Sequence, residues 1–486
     1  MQSQTKIFSR LVRDYMRKAP VVVPRDATVR DLVGHLSAAK ATAALIADGD
    51  GRLAGIVTEQ DVTRRIALRC EGGERVADVM TAPVETVRAD DFLYRAIARM
   101  RRFGWRHMPV VDREDRPVGQ IVLRDALAVA AEQIIGQIDR ITHEGSLDGL
   151  REVKAAQADI AIELLADSVP APEIQTLITD INRDIHRRLV DAHLAAMAAQ
   201  EWGAPPVPFA LIIMGSGGRG ENFLFPDQDN GFILEDYPDT EHGRIDAFFI
   251  ELAERLTRDL DVVGFSLCKG YVMATNPLWR KTRGQWRDQL RLWGRRRSEI
   301  AVQLSDIFFD FRLGYGREDF VRELRARANA MVKASPAYLQ AMEHEVHEHG
   351  VALGWFGRFV TEKEKPEHRG KINLKHAGTL PLVGAVRLLA LRAGIEETAT
   401  LARMTALRAA GLLGADEHDY LRGAFEHITF MLLRQQLEDF QAGRPVGNHV
   451  PPERLSEREK DILVDSLKAI DALRKRVHGE FTAELF

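Results

Sequence analysis

Cysteine is almost missing from this chain: Cys70 and Cys268 are the two in 486 residues. They lie far apart in sequence and lack metal-ligand spacing. A disulfide framework is therefore not indicated, and a reducing, cytoplasmic setting fits. Long apolar runs are missing too. Nothing approaches the roughly 20 residues that a membrane-spanning helix needs, and the polar stretch 1–10 has no apolar centre of the kind a secretory signal carries. Charge of one sign is also scarce. A formal net charge of −4 gives no bulk attraction to nucleic acid or to a membrane surface. What is present is an ordinary globular composition, 45% hydrophobic, in a length that allows roughly three domains of about 150 residues.

The most informative stretch is Met214-Gly215-Ser216-Gly217-Gly218-Arg219-Gly220-Glu221-Asn222-Phe223-Leu224-Phe225-Pro226-Asp227-Gln228-Asp229-Asn230. Before it, Phe209 to Met214 is a short apolar run ended by glycine, the mark of a buried strand. After it, Gly231-Phe232-Ile233-Leu234 is a second such run. Side chains two apart on a strand share a face, so Asp227 and Asp229 are expected to reach one divalent ion, Mg²⁺ or Mn²⁺. Such hard cations are commonly held by one or two carboxylates together with substrate phosphates. A glycine-rich turn at Gly215 and Ser216 lets backbone N–H groups approach those phosphates closely. The plainer alternative is a simple turn with two solvated aspartates on its flank.

This pattern resembles the polymerase-beta-type nucleotidyltransferase superfamily, where Gly-Ser precedes an Asp-x-Asp strand. Arg219 and Glu221 narrow the resemblance to the branch that holds the protein-PII uridylyltransferases and a nucleotidyltransferase family often attached to CBS domains. The resemblance implies an NTP substrate and transfer of a nucleoside monophosphate, with a protein hydroxyl as the favoured acceptor. It implies that Arg219 neutralises phosphate charge and that Glu221 positions Arg219 or the loop. One departure stands inside the motif. Pro226 occupies a position where that branch usually has Ser or Thr, so a hydroxyl is missing. The superfamily usually needs a third carboxylate. Asp310, in Ile307-Phe308-Phe309-Asp310-Phe311-Arg312, is the candidate, as a lone acid in an apolar, strand-prone run where a metal would compensate its burial. Asp306 has the same parity, and pairing of Asp310 with Arg312 is the structural alternative. Cys268 to Trp279 also matches the CBS-linked family and offers Lys269 as a triphosphate contact or an ordinary surface lysine.

Residues 11–70 and 75–135 repeat one another. Each copy opens on a similar pentapeptide (Val12-Arg13-Asp14-Tyr15-Met16; Val76-Ala77-Asp78-Val79-Met80). Each continues with an amphipathic helix pattern and two apolar strands around a polar turn, and closes on a glycine, a strand and an aspartate (Gly55 to Asp61; Gly119 to Asp125). This tandem resembles a CBS-domain pair, which implies an adenine nucleotide such as AMP or ATP as effector and dimerisation through these domains. Thr58 and Asp61 are the expected phosphate and ribose contacts of the first copy. Thr58 sits where a helix begins, and free N–H groups there suit an anion. In the second copy Asp125 remains while Leu123 replaces the hydroxyl residue. The plainer reading makes Thr58 a helix cap.

The remainder reads as helical. Apolar spacing predicts helices over Leu147 to Leu165 and Ile174 to Ala199, a connector at 136–203. More follow at Gly243 to Leu260, Leu380 to Ala393, Ala415 to Phe440 and Ser456 to Phe486. Arg283, Arg287, Arg291 and Arg295 recur every four residues and Trp279, Trp286 and Trp293 every seven. They suggest either a basic surface for an anion or a solvated face over a tryptophan-anchored core. Lys375, His376 and Arg387 are candidates for a nucleotide or partner site. The expected fold is therefore multidomain α/β and α: tandem CBS domains (1–135), helical connector (136–203), polymerase-beta-like α/β nucleotidyltransferase domain (204–335) and C-terminal helical domain (336–486). The leading function is a CBS-regulated, Mg²⁺-dependent nucleotidyltransferase. The alternatives are a non-catalytic adenine-nucleotide sensor on the same fold, which Pro226 favours, and an RNA-end nucleotidyltransferase, suggested by the arginine row.

Overall fold

The computed structural model describes residues 11–123, 146–295, 302 and 306–483, apart from 19, 40, 68–69, 92, 94–95, 97–98, 101–104, 167–168, 349 and 355–356. Arg124 and Asp125, which end the second closing segment, lie outside the described residues. The chain divides into two compact units, 1–140 and 141–486.

The first unit holds the two repeats. In the first copy β2 (Val21–Pro24), β3 (Ala43–Ala47) and β4 (Leu53–Thr58) form a sheet, with β2 parallel and β4 antiparallel to β3. In the second, β5 (Val87–Arg88), β6 (His107–Val111) and β7 (Pro117–Val122) repeat that order, and β1 (Arg17–Lys18) adds to β7. The opening segments are exchanged between copies. Arg17 of the first copy pairs with Gln120 of the second, while Thr81 of the second bridges to Ile56 of the first. Val12 joins the second copy's core and Val76 the first copy's. The glycine of each closing motif makes this possible. A Cβ on Gly55 would stand 2.5 Å from the Met80 sulfur, and one on Gly119 would stand 2.5 Å from the Met16 sulfur. Either contact is too close for a side chain, so each glycine admits the methionine of the other repeat.

In the second unit, a mixed sheet runs in the order β10 (Arg280–Thr282), β9 (Asn230–Leu234), β8 (Phe209–Ile213), β11 (Arg312–Gly316). Strands β8 and β9 are buried along their whole length, as continuous apolar runs covered on both faces must be. The expected helices form at Leu147–Ala166, Ala171–Ala199, His242–Val263, Leu380–Ala393, Ala415–Gln441 and Glu457–Ala483. The tryptophan stripe is the buried face of the Arg283–Arg295 helix and the turn before it: Trp279, Trp286 and Trp293 are sealed against Phe308 and the sheet. One apolar core runs from Ala210 and Ile233 of the sheet through these rings to Val386, Met431 and Leu467 of the C-terminal helices. A two-stranded ribbon, β12 (Ile372–Asn373) with β13 (His449–Val450), ties two loops of the helical part together. Among the described residues, no helix is long and apolar enough to cross a membrane.

Two local expectations are corrected. Asp227 and Asp229 lie just before β9, which begins at Asn230, and Asp227 makes an isolated bridge to Ser266. The run Ile307 to Arg312 is not a strand. Its first residues are helical, a turn follows at Phe309 and Asp310, and β11 starts at Arg312. Phe308, Phe309 and Phe311 are all fully buried. Strand alternation would have turned neighbouring rings to opposite faces, whereas here one aromatic core takes all three.

Candidate functional site

β8 delivers the chain to Met214, which caps a five-residue helix, Gly215–Arg219. The glycines are sterically required. Gly215 has φ of +58°, and a Cβ there would lie 2.9 Å from Asp229 Oδ2. A Cβ on Gly218 would lie 1.5 Å from the Asp310 carbonyl oxygen. The Met214 N–H donates to Asp229 O at 2.8 Å, so the glycine turn and the acidic segment are clamped together. Ser216 Oγ donates to Asn222 Oδ1 at 3.0 Å.

Gln228 shows how the acidic segment is oriented. Its side chain is buried and donates to Thr257 O and Phe265 O, each at 3.0 Å. Its neighbours Asp227 and Asp229 turn the other way, and both line one cavity with Ser216, Arg219, Glu221 and Lys375. Asp227 is exposed and Asp229 half-buried. Burial, reinforced by repulsion from Asp227, pushes the Asp229 carboxyl up to about 7, against the opposing pull of Cys268, Lys375 and Arg219. The Cys268 thiol hydrogen-bonds Asp229 and is itself pushed up to about 11 by burial and that carboxylate. Asp229 Oδ1 is sealed from solvent without a hydrogen-bond partner, a costly state for a carboxylate unless something else meets it. Two hard oxygen donors, one of them orphaned, suit a Mg²⁺-like ion. Phe223, Phe225 and Phe425 supply an apolar wall to the same cavity.

Asp310, expected as the third metal ligand, takes a different part. It is fully buried inside a cage of three guanidiniums: Arg219 Nη1 at 2.8 Å and Arg387 Nη1 at 2.7 Å on Oδ2, and Arg403 Nη1 at 2.7 Å on Oδ1. Burial alone would raise its pKa, but Arg403, Arg387 and Arg219 hold it far below the usual carboxylate range. Asp306, the fallback, pairs with Arg387, and Arg312 donates to Thr398 Oγ1 at 2.8 Å rather than to Asp310. Glu221 contacts Arg219: its Oε2 accepts from Arg219 Nε at 2.6 Å while its Oε1 accepts from the Thr400 N–H at 2.7 Å. Arg219 is thereby shared between two carboxylates.

Lys269 is exposed and does not line the cavity. Lys375 does line it, carried there by the β12 ribbon. His376 is exposed beside it. The arginine row is paired on the surface: Arg283 with Glu235 and Glu323, Arg287 and Arg291 with Asp288. In the first unit, Thr58 and Asp61 form a reciprocal capping box. Thr58 Oγ1 and N–H both donate to Asp61 Oδ2, at 2.8 and 2.9 Å, and Arg65 takes Oδ1. Asp61 is accordingly held well below its ordinary pKa by these partners despite partial burial. Two signals were present in the sequence without being usable: Cys268 as a donor to Asp229, and Arg403 as a ligand of Asp310.

Three family models match the chain. The CBS domain model covers 12–68 and 76–132. The model described as "Putative nucleotidyltransferase DUF294" covers 155–299, and "Putative nucleotidyltransferase substrate binding domain" covers 336–481. Among curated relatives, a CBS domain-containing protein of Arabidopsis thaliana is 25% identical over 181 residues, 35% of this chain and 32% of that protein. A homoserine O-acetyltransferase of Methanococcoides burtonii is 32% identical over 113 residues, 22% of each chain. An uncharacterized protein of Methanocaldococcus jannaschii is 24% identical over 228 residues, 42% of this chain and 81% of that one. The chain thus spans about a third or less of the length of the first two of these relatives. Among solved structures, a CBS domain protein of Pyrobaculum aerophilum complexed with AMP is 27% identical and covers 24% of this chain and 89% of its own, with a TM-score of 0.23. With a repeated CBS domain followed by these two domains, the chain belongs to the CBS-linked family whose models are described as "Putative nucleotidyltransferase DUF294" and its substrate binding domain.

Proposed function

We propose that this protein transfers a nucleoside monophosphate from an NTP to an acceptor, with a protein hydroxyl as the favoured acceptor class. The observation that carries this reading is the convergence of Asp227, Asp229, Ser216 and Lys375 on one cavity beside the glycine helix, with Asp229 Oδ1 buried and unpartnered. Asp227 and Asp229 would hold Mg²⁺ or Mn²⁺, which when bound supplies charge neutralisation at the phosphates. The chain's own residues do the rest. Gly215 and Ser216 would cradle the triphosphate. Lys375 adds a positive charge at the cavity wall. Glu221 and Asp310 hold Arg219 rigid at the cavity wall. The first unit would respond to AMP or ATP at Thr58 and Asp61, with Asp125 as the second-copy counterpart, and would pair two chains as a homodimer.

The test is incubation of the full chain with each labelled NTP, Mg²⁺ or Mn²⁺, and cell extract. Label on a protein band that disappears with Asp227→Ala plus Asp229→Ala is the expected result. No transfer and no pyrophosphate release with any NTP, alongside tight AMP or ATP binding, overturns it in favour of a non-catalytic sensor. One observation favours that second reading: Asp310 is committed to arginines, leaving two unpaired carboxylates on the cavity, next to Pro226. Label on RNA instead would select an RNA-end transferase.

A further inference from the structure

Away from the cavity, two helices of the C-terminal part bring three metal-ligating side chains together. Glu343 and His347 are four residues apart on the Pro336–Glu348 helix, so they share one face. His478 comes from the Glu457–Ala483 helix, which packs against it. The ligand atoms of all three lie within 4.8 Å of one another. His478 Nδ1 is 2.9 Å from Glu343 Oε1, and His347 Nδ1 is 3.8 Å from the same oxygen. The two imidazoles stack with centroids 3.8 Å apart and planes 18° from parallel, so one ring has to turn about its side-chain bonds before both Nδ1 lone pairs, which lie in the ring planes, meet one ion.

Two features set this apart from a surface acid with histidine neighbours. Glu343 is only 4% exposed, and among the described residues it makes no ion pair with lysine or arginine; the groups paired with it are these two imidazole rings. A buried carboxylate is costly without a compensating cation. Second, His347 Nδ1 is sealed from solvent and makes no hydrogen bond. It stands 3.8 Å from the Glu343 oxygen, too far for a hydrogen bond. The nearby Arg474 does not meet that need. It donates to the His347 carbonyl at 2.8 Å and pairs with Asp471 at 2.9 Å, so its charge is already countered.

We propose that Glu343, His347 and His478 bind a Zn²⁺ ion, two imidazole nitrogens and one carboxylate oxygen with a fourth position left to water. Zinc bonds to nitrogen and oxygen are about 2.0–2.2 Å, which in tetrahedral geometry sets ligand atoms roughly 3.3–3.6 Å apart. The separations of 2.9 Å and 3.8 Å from Glu343 Oε1 lie on either side of that spacing, so small side-chain shifts bring both nitrogens into place. The mixed nitrogen and oxygen donor set suits zinc rather than Mg²⁺ or Ca²⁺. The ion would meet the orphaned His347 nitrogen, neutralise the buried carboxylate and tie the two helices together.

The experiment uses the full chain carrying Asp227→Ala and Asp229→Ala, stripped with chelator and titrated with Zn²⁺ in excess Mg²⁺, so that the cavity pair does not contribute. One equivalent of Zn²⁺ is expected, weakened at least ~100-fold by His347→Gln or by His478→Gln, given that even outer-shell changes cost 10–100-fold in affinity. Circular dichroism checks that the variants keep their helices. Should a variant fail to fold, X-ray absorption at the zinc edge of the parent chain decides, and two imidazole nitrogens in the first coordination sphere are expected. No zinc bound, zinc binding indifferent to both substitutions, or a zinc environment without imidazole each overturns the proposal. The Glu343–His478 contact is then an ordinary histidine–carboxylate pair.

Discussion

Asp310→Asn separates the two parts that Asp310 can play. The replacement keeps the size of the side chain and removes its charge. Arg219 then retains Glu221, and Arg387 retains Asp306. Among the described residues, Arg403 retains the Glu397 carbonyl, at 2.8 Å from its Nε, and no carboxylate. It is 2% exposed and is left as a buried cation without an anion. Removing one partner of a buried ion pair costs about 3–5 kcal/mol, because the stranded charge keeps its desolvation penalty. That is a large share of a typical total stability of about 5–15 kcal/mol. The double change Asp310→Asn with Arg403→Met should recover part of the loss, since it removes the stranded charge as well. The assay is urea unfolding followed by tryptophan fluorescence. Trp279, Trp286 and Trp293 lie in the same core as Phe308, Phe309 and Phe311, which flank Asp310, so they report the unit that the cage holds together. A fall in stability of at least about 2 kcal/mol with partial rescue in the double variant is expected. Asp310→Asn with unchanged stability but lost Mg²⁺ binding would refute the cage and restore Asp310 as a metal ligand.

Gly218→Ala should also cost more than about 3 kcal/mol, beyond ordinary overpacking, because its Cβ would overlap the Asp310 carbonyl. Gly243→Ala, in open space near the start of its helix, should be neutral or stabilising by up to about 1 kcal/mol, and equal urea midpoints for the two variants would contradict this. His186 is buried edge-on to Phe265, and burial together with nearby Lys154 lowers its pKa from 6.5 to about 4, although its hydrogen bond to Asn182 O opposes the shift. The unfolded chain binds the extra proton between pH 6.5 and 4, so stability falls as pH drops through that window, by roughly 3 kcal/mol at about 1.4 kcal/mol per unit. His186→Gln should flatten this part of the profile, and an unchanged slope in urea unfolding between pH 7 and pH 4.5 would rule out His186 as its source.

The sequence made the repeats, most helices and the Asp227–Asp229 orientation legible because each follows from a short-range period. The Gln228 alternation is one example and the seven-residue tryptophan spacing another. The exchange of Met16 and Met80 between repeats was not legible. Gly55 and Gly119 were visible as motif glycines, but which methionine each one faces depends on long-range packing. Asp310 failed for a related reason. A lone acid in an apolar run signals compensation, and both a metal and an arginine satisfy that signal. Of the deciding residues, Arg387 was legible only as a candidate for a nucleotide or partner site, and no short-range pattern tied it or Arg403 to Asp310. Lys375 was recognised as a candidate cation without a location, since the β12–β13 pairing that carries it joins segments far apart in the chain.

The cage also constrains how the cavity can handle a triphosphate. Arg219, Arg387 and Arg403 are balanced by Asp310, Glu221 and Asp306 in direct contacts, so this cluster is neutral as a group and presents little free positive charge. Among the described residues, the other cation lining the cavity is Lys375. A triphosphate carries several negative charges beside Asp227 and Asp229, which add two more when ionised. One lysine cannot offset that sum, and the glycine helix is too short to contribute a full charge. Under the proposed function, nucleotide binding at this site therefore has to bring its own cations. A site built this way should bind NTP with Mg²⁺ far better than NTP alone, and Lys375→Met should weaken that binding less than chelation of the metal does. If NTP binds equally well in EDTA, the charge balance read from these contacts is wrong, and Arg219 must leave Glu221 and Asp310 to meet the phosphates.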